Sequence, residues 1–174
     1  MPLPYESALG ISRRVLRVLV VINWVYGFAI LGLLTWSLIA RDFAMTALGV
    51  APAADRETMM RGMQLVAFIG ILAVPLMHVV FSRLLSIVDT VRAGDPFIIE
   101  NARRLQTIAE TVLATQVLHL LIGFVVSRTR SQVQQLDINW SFSINPWITV
   151  LLLFVLARVF EYGARMRADL EGTV

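Results

Sequence analysis

Residues 15–39 read VLRVLVVINWVYGFAILGLLTWSLI, an apolar run broken by one charged residue, Arg17. Crossing a hydrocarbon core about 30 Å thick at 1.5 Å per residue takes about 20 apolar residues, so this run is long enough to span a bilayer. It exceeds the roughly 7–15 residues of a secretory apolar segment, and no small-residue cleavage site follows it. It therefore reads as an uncleaved anchor. Comparable runs recur at about 64–88, 106–127 and 146–164. Lipid offers backbone N–H and C=O groups no partners, and the chain lacks the many short alternating strands of a barrel, so the spans are expected to be helices. The expected fold is all-α: one integral membrane domain over residues 1–174, built as a four-helix transmembrane bundle.

Composition agrees with this and excludes several function classes. Of 174 residues, 57% are hydrophobic and 16% charged, too apolar for an ordinary soluble domain. All 15 basic residues are arginine and they are scattered. Without a dense basic tract, direct nucleic-acid binding is not expected. Cysteine is absent, which removes disulfides, thiolate metal sites and cysteine nucleophiles. No Gly-rich phosphate loop, HExxH or GxSxG motif occurs, so neither an enzyme nor a metal or cofactor is expected.

The arginines set the orientation. Arg13, Arg14, Arg17, Arg83, Arg92, Arg103, Arg104, Arg158, Arg165 and Arg167 belong to the N-terminal flank, the second connection and the C-terminal end. Arg41, Arg56, Arg61, Arg128 and Arg130 belong to the other two connections. This excess predicts both termini in the cytoplasm.

The second connection then faces the cytoplasm. Its sequence, VRAGDPFIIENARRLQTIAE over residues 91–110, has Gly94 to break the preceding helix and Asp95 to accept free backbone N–H groups. Pro96 fits a first helical position, so the next helix is expected to start at Asp95. Apolar Phe97, Ile98 and Ile99 beside polar Glu100, Asn101, Arg103 and Arg104 make an amphipathic turn at headgroup depth. Two readings are open: a well-made turn between spans, or a docking platform for a cytoplasmic partner.

These residues also carry a resemblance. The pattern Gly94-Asp95-Pro96-Phe97 followed by Asn101, Arg103-Arg104-Leu105 and Ile108, with the ending VFEYGARMRADLEGTV over 159–174, resembles the small bacterial membrane proteins grouped as domain of unknown function 2975. The four-span layout agrees over nearly the whole chain. Many members carry lysines in the stretch where this chain has only arginines. Members lie beside genes for small Cro/CI-type helix-turn-helix regulators, so the resemblance implies a membrane partner for a transcription regulator. On that reading the contact surface comprises Phe97, Asn101, Arg103 and Arg104 with Arg165, Arg167, Asp169 and Glu171 of the tail, a mixed-charge surface suited to a protein partner.

Ionisable groups inside spans cost roughly 2.5–3.5 kcal/mol at mid-membrane on insertion scales, so each should face the bundle, snorkel or have a role. Arg83, Glu110, Arg158 and Glu161 lie within about six residues of a cytoplasmic span end, roughly 5–9 Å deep at helical rise. They form a candidate charge layer in which Glu110 pairs with Arg83 or Arg158 across helices. Arg158, Glu161 and Arg165 share a helix face. Arg104, Thr107, Thr111, Thr115, His119 and Gly123 form a stripe expected to face the interior, either as a packing seam or as a polar conduit. Asn23 and His78 are further buried polar groups, and a hydrogen bond between them would satisfy both. His78 follows Pro75 at a distance where it can also bond freed carbonyls.

Two other functions stay open. A small transporter or channel built as a homodimer would line its path with Glu110 and His119, and a haem or quinone protein would use His78 and His119 as axial ligands. The third connection alternates apolar and polar residues from Leu136 to Ile144, which predicts extended chain, as a hairpin or an aromatic edge at the membrane surface. The first outer loop predicts a helix start at Asp55 with Glu57.

Overall fold

The computed structural model describes residues 4–39, 56–129 and 143–171. They form four α-helices: α1 (Pro4–Ile39), α2 (Arg56–Arg92), α3 (Ile99–Thr129) and α4 (Asn145–Glu171). Among the described residues there is no strand. Every helix holds a stretch long and apolar enough to cross a membrane: Ala8–Ile39, Met60–Arg92, Ile99–Ser127 and Asn145–Leu170. The helices outrun the spans read from the sequence. At 37 residues, α2 is about 55 Å long, so its ends project beyond a hydrocarbon layer about 30 Å thick. Of the expected extended segment Leu136–Ile144 all but the last two residues, and the cap at Asp55, lie outside the described residues.

Each helix packs on the next in the chain: α1 on α2, α2 on α3 and α3 on α4, with no comparable contact joining α1 to α4. α1 and α2 run antiparallel, Arg13 meeting Asp89 at one end and Ser37 meeting Gln64 at the other; α2 and α3 do too, Thr90 meeting Asn101 and Ser86 meeting Arg104, and the junction before α3 meets the end of α4 through Asp95 and Arg167. The four-helix assembly is thus an open array with α1 and α4 at its edges. Its core runs through α3, where Ala102, Leu105, Ile108 and Ala109 are buried, and along one stripe of α4, where Val150, Ala157 and Ala164 recur every seven residues. Small side chains at such positions let backbones approach closely, and without a hydrophobic drive in lipid this packing is what associates helices. The outward faces are apolar and open, for example Leu33 and Phe28 on α1 and Leu151 on α4, as lipid contact requires.

Glycine sets the closest approach of α1 to α2. A Cβ on Gly27 would stand 2.9 Å from Cγ1 of Val74, which is itself buried. One turn away the Asn23 Nδ2 donates to the Val74 carbonyl oxygen at 3.0 Å, fastening the helices beside Pro75. Further along, Gln64 Nε2 donates to Ser37 Oγ at 3.4 Å.

The α2–α3 junction differs from the sequence expectation in one respect. The third helix begins at Ile99 and not at Asp95, because Asp95 is already used to close α2. Gly94 adopts φ 91°, its N–H donates to the Val91 carbonyl at 3.1 Å, and the Asp95 N–H donates to the Thr90 carbonyl at 3.1 Å. This is the Schellman arrangement, in which a left-handed glycine follows the helix end. Residues 95–98 then run without helix across to α4, and Ile98 supplies the first carbonyl of α3, accepting the Asn101 N–H at 3.0 Å.

Candidate functional site

The non-helical stretch after Gly94 is seated on the end of α4 by one apolar and one ionic contact. The Phe97 ring lies 5.2 Å from that of Phe160, tilted by 39°. It also presses on Gly163, where a Cβ would come within 3.0 Å of Phe97 Cδ1. Asp95 Oδ1 pairs with Arg167 Nη1 at 2.7 Å. A groove of about 390 Å³ runs between Asp95–Glu100 and the Ala164–Ala168 turns of α4. Phe97 keeps 45% of its surface exposed, so it is half anchor and half open surface.

Beneath the junction stands Asn101, 0% exposed. Its Nδ2 donates to Thr90 Oγ1 at 2.8 Å and to the Pro96 carbonyl at 2.9 Å, and its Oδ1 accepts from Arg104 Nη1 at 2.8 Å. Thr90 Oγ1 also lies 3.1 Å from Oδ1. A hydroxyl has one proton, and the Ile87 carbonyl at 2.8 Å is its nearest acceptor. The Arg104 Nη1 reaches the Ser86 carbonyl at 3.3 Å as well. Asn101 therefore joins α2, the junction and α3, and it supports the exposed surface without belonging to it. That corrects its place among the expected contact residues: an amide with every partner inward is not offered to another protein.

The rest of that expected surface divides. Arg103, Arg165 and Asp169 are exposed, Arg167 is committed to Asp95, and Glu171 closes α4. Arg165 Nη2 pairs with Glu161 Oε1 at 2.6 Å, and Arg158 Nη1 pairs with Glu161 Oε2 at 2.7 Å. The shared face expected for these three is thus a triad on α4, one carboxylate between two guanidinium groups. The pairing of Glu110 with Arg83 or Arg158 is not what forms. Glu110 Oε1 accepts from Gln106 Nε2 at 2.9 Å, one turn back on its own helix, and Glu161 satisfies Arg158 locally.

The α3 stripe is satisfied within the helix too. Thr107, Thr111 and Thr115 each donate to the carbonyl four residues earlier, at 3.0, 2.7 and 2.9 Å. Back-bonding of this kind consumes the hydroxyl proton and turns the methyl outward to pack. Thr111 and Gly123 are buried as the periodicity required, but His119 is exposed and leaves the interior seam. A packing seam describes the stripe better than a conduit.

His78 is engaged at both ring nitrogens, though not by Asn23. Trp24 Nε1 donates to His78 Nδ1 at 3.2 Å, and Ser82 Oγ lies 3.3 Å from Nε2. An indole N–H can only donate, so Nδ1 accepts and Nε2 carries the proton to Ser82. Asn23 takes the Val74 carbonyl instead. Axial ligation would need one of these nitrogens free, so the geometry gives the haem reading no support.

Sequence reasoning missed Arg13–Asp89, Thr90 and Trp24. Arg13 Nε stands 2.8 Å from Asp89 Oδ1, aimed off the hydrogen-bond line, while Nη2 donates to Oδ2 at 3.4 Å. Matching depth could have found this pair, because Arg13 precedes the first span as closely as Asp89 follows the second. Thr90 and Trp24 carry no such signal.

Residues 34–174 match the family described as Protein of unknown function (DUF2975), and the chain belongs to it. Comparison with curated proteins and with solved structures returns no match.

Proposed function

We propose that this member of the DUF2975 family is a bacterial inner-membrane protein with both termini cytoplasmic, a binding protein and not an enzyme, which docks a small helix-turn-helix regulator and holds it at the membrane. The observation that carries the reading is the seating of Asp95 and Phe97 on α4 through Arg167 and Phe160. A connection of that length has no need of a second helix to make a turn. Fixed there, it presents a rigid rim in which Phe97, Glu100, Arg103, Arg165 and Asp169 are exposed, an aromatic anchor ringed by both signs of charge.

Arg103→Glu with Asp169→Arg reverses the rim charge without touching Asn101 or the Arg167 pair. In cells carrying this double variant, the helix-turn-helix regulator proposed as the partner should move from the membrane to the soluble fraction. An unmoved regulator, with the variant present in the membrane at wild-type level, overturns the reading. Gln106 and backbone carbonyls four residues back already answer Glu110 and the hydroxyls of Thr107, Thr111 and Thr115, so no observation favours a transport path.

A further inference from the structure

Where the end of α2 meets the first two turns of α3, a cleft of about 270 Å³ is lined by Arg83, Glu100, Arg103, Arg104 and Thr107. The geometry points to a binding site for the phosphate of an anionic phospholipid headgroup in this cleft, held by the guanidinium groups of Arg83, Arg103 and Arg104. The inference goes beyond the docking of a regulator and does not depend on it.

Three arginines face one carboxylate here, and the carboxylate sits at the rim: Glu100 is in the first turn of α3 and exposed. Arg83 and Arg103 are exposed, and their guanidinium groups have no hydrogen bond or ion pair among the described residues. Arg104 is held by one nitrogen. Its Nη1 is fixed by Asn101 Oδ1 at 2.8 Å and by the Ser86 carbonyl at 3.3 Å. Its Nε and Nη2 have no described partner and are not sealed from the surroundings. A guanidinium oriented in advance, with donors to spare, is the geometry that grips phosphate oxygens in pairs. Thr107 contributes no donor, since its hydroxyl proton goes to the Arg103 carbonyl.

Depth decides the source of the phosphate. Arg83 lies within the apolar stretch Met60–Arg92, nine residues or about 13 Å of helix from the end of α2 at helical rise. A cation there needs a counter-charge that can reach it from the lipid side, and among the described residues no carboxylate of its own helix or of α3 is paired with it: Asp89 is taken by Arg13, Glu110 by Gln106, and Glu100 stays at the exposed rim. The phosphate of a lipid is tethered at that level, and basic pockets between membrane helices recognise anionic headgroups by this chemistry.

The test is native mass spectrometry of the full-length protein in detergent, titrated with phosphatidylglycerol or with phosphatidylcholine of matched chains. Wild type should retain phosphatidylglycerol at about tenfold lower concentration. Arg83→Gln with Arg103→Gln should abolish the preference, and Arg165→Gln, on α4 outside the cleft, should preserve it. Equal retention of the two lipids by wild type overturns the site, whatever the variants do. So does a preference that survives the double variant, or one that Arg165→Gln removes equally. Displacement of phosphatidylglycerol by an equal concentration of inorganic phosphate overturns the lipid as its source.

Discussion

Phe97 and Gly163 meet so closely that the Phe97 Cδ1 stands only 3.0 Å from where a glycine Cβ would be. The ring occupies the space a side chain would fill, and it stacks on Phe160 one turn below. Position 163 thus regulates whether the junction can lie on α4.

Gly163→Leu should lift the ring and loosen the junction while leaving the four helices in place. Overpacking a filled contact costs roughly 1–3 kcal/mol. Thermal unfolding in detergent, followed by circular dichroism, should show a lower midpoint. Phe97→Ala combined with Gly163→Leu should lower it less than the sum of the two single changes, because the clash is gone. Additive losses would show that the two residues do not compete for one space.

Asn101→Leu preserves approximate volume, strands the Pro96 carbonyl without its donor and leaves the Arg104 guanidinium only the Ser86 carbonyl. Unpaired buried groups cost about 1–3 kcal/mol each, so this exchange should destabilise more than Asn145→Leu at the exposed start of α4. Denaturant titration in mixed micelles measures both.

Gly27→Ala and Gly32→Ala lie on the same helix and should have opposite effects. A Cβ on Gly27 would meet Val74 at 2.9 Å, whereas nothing lies within 4 Å of one on Gly32. Alanine gains roughly 1 kcal/mol of helix propensity in water. That gain should survive at 32 and be outweighed at 27, where α1 must back away from α2 and stretch the Asn23 bond to Val74. A neutral Gly27→Ala would mean the helices are not in close contact there.

The chain has no cysteine, so single introduced thiols report topology without background. Glu100→Cys and Asp169→Cys should both react with a membrane-impermeant maleimide in inverted vesicles and resist it in intact cells. Labelling of either position from outside would remove the docking rim from the cytoplasm and the proposed function with it.

The helices were legible because lipid leaves a backbone one solution, and apolar length alone declares it. Gly94 was legible for the same kind of reason, since a helix end needs a residue that tolerates φ 91°. The start of α3 was misread by four residues because Asp95 suits both an N-cap and the close of the preceding helix. Only the presence of Arg167 and Phe160 nearby decides between them, and no local pattern announces a contact some 70 positions away. The polar groups were misread in their partners: Glu110 was expected to reach Arg83 or Arg158 and Asn23 to reach His78, yet Glu110 is bonded one turn back on α3, Asn23 crosses to α2 at a backbone carbonyl, and the α3 threonines bond back along their own helix. Side chains in a helix find carbonyls four residues back before they find a neighbour.

Because each helix after α1 packs on the one made just before it, assembly can follow the order of synthesis. Each new segment leaving the ribosome meets a surface already waiting in the lipid, so no partner has to be held open for a later arrival. Contacts so near in sequence favour rapid, stepwise folding, and a truncated nascent chain should already contain a properly joined pair.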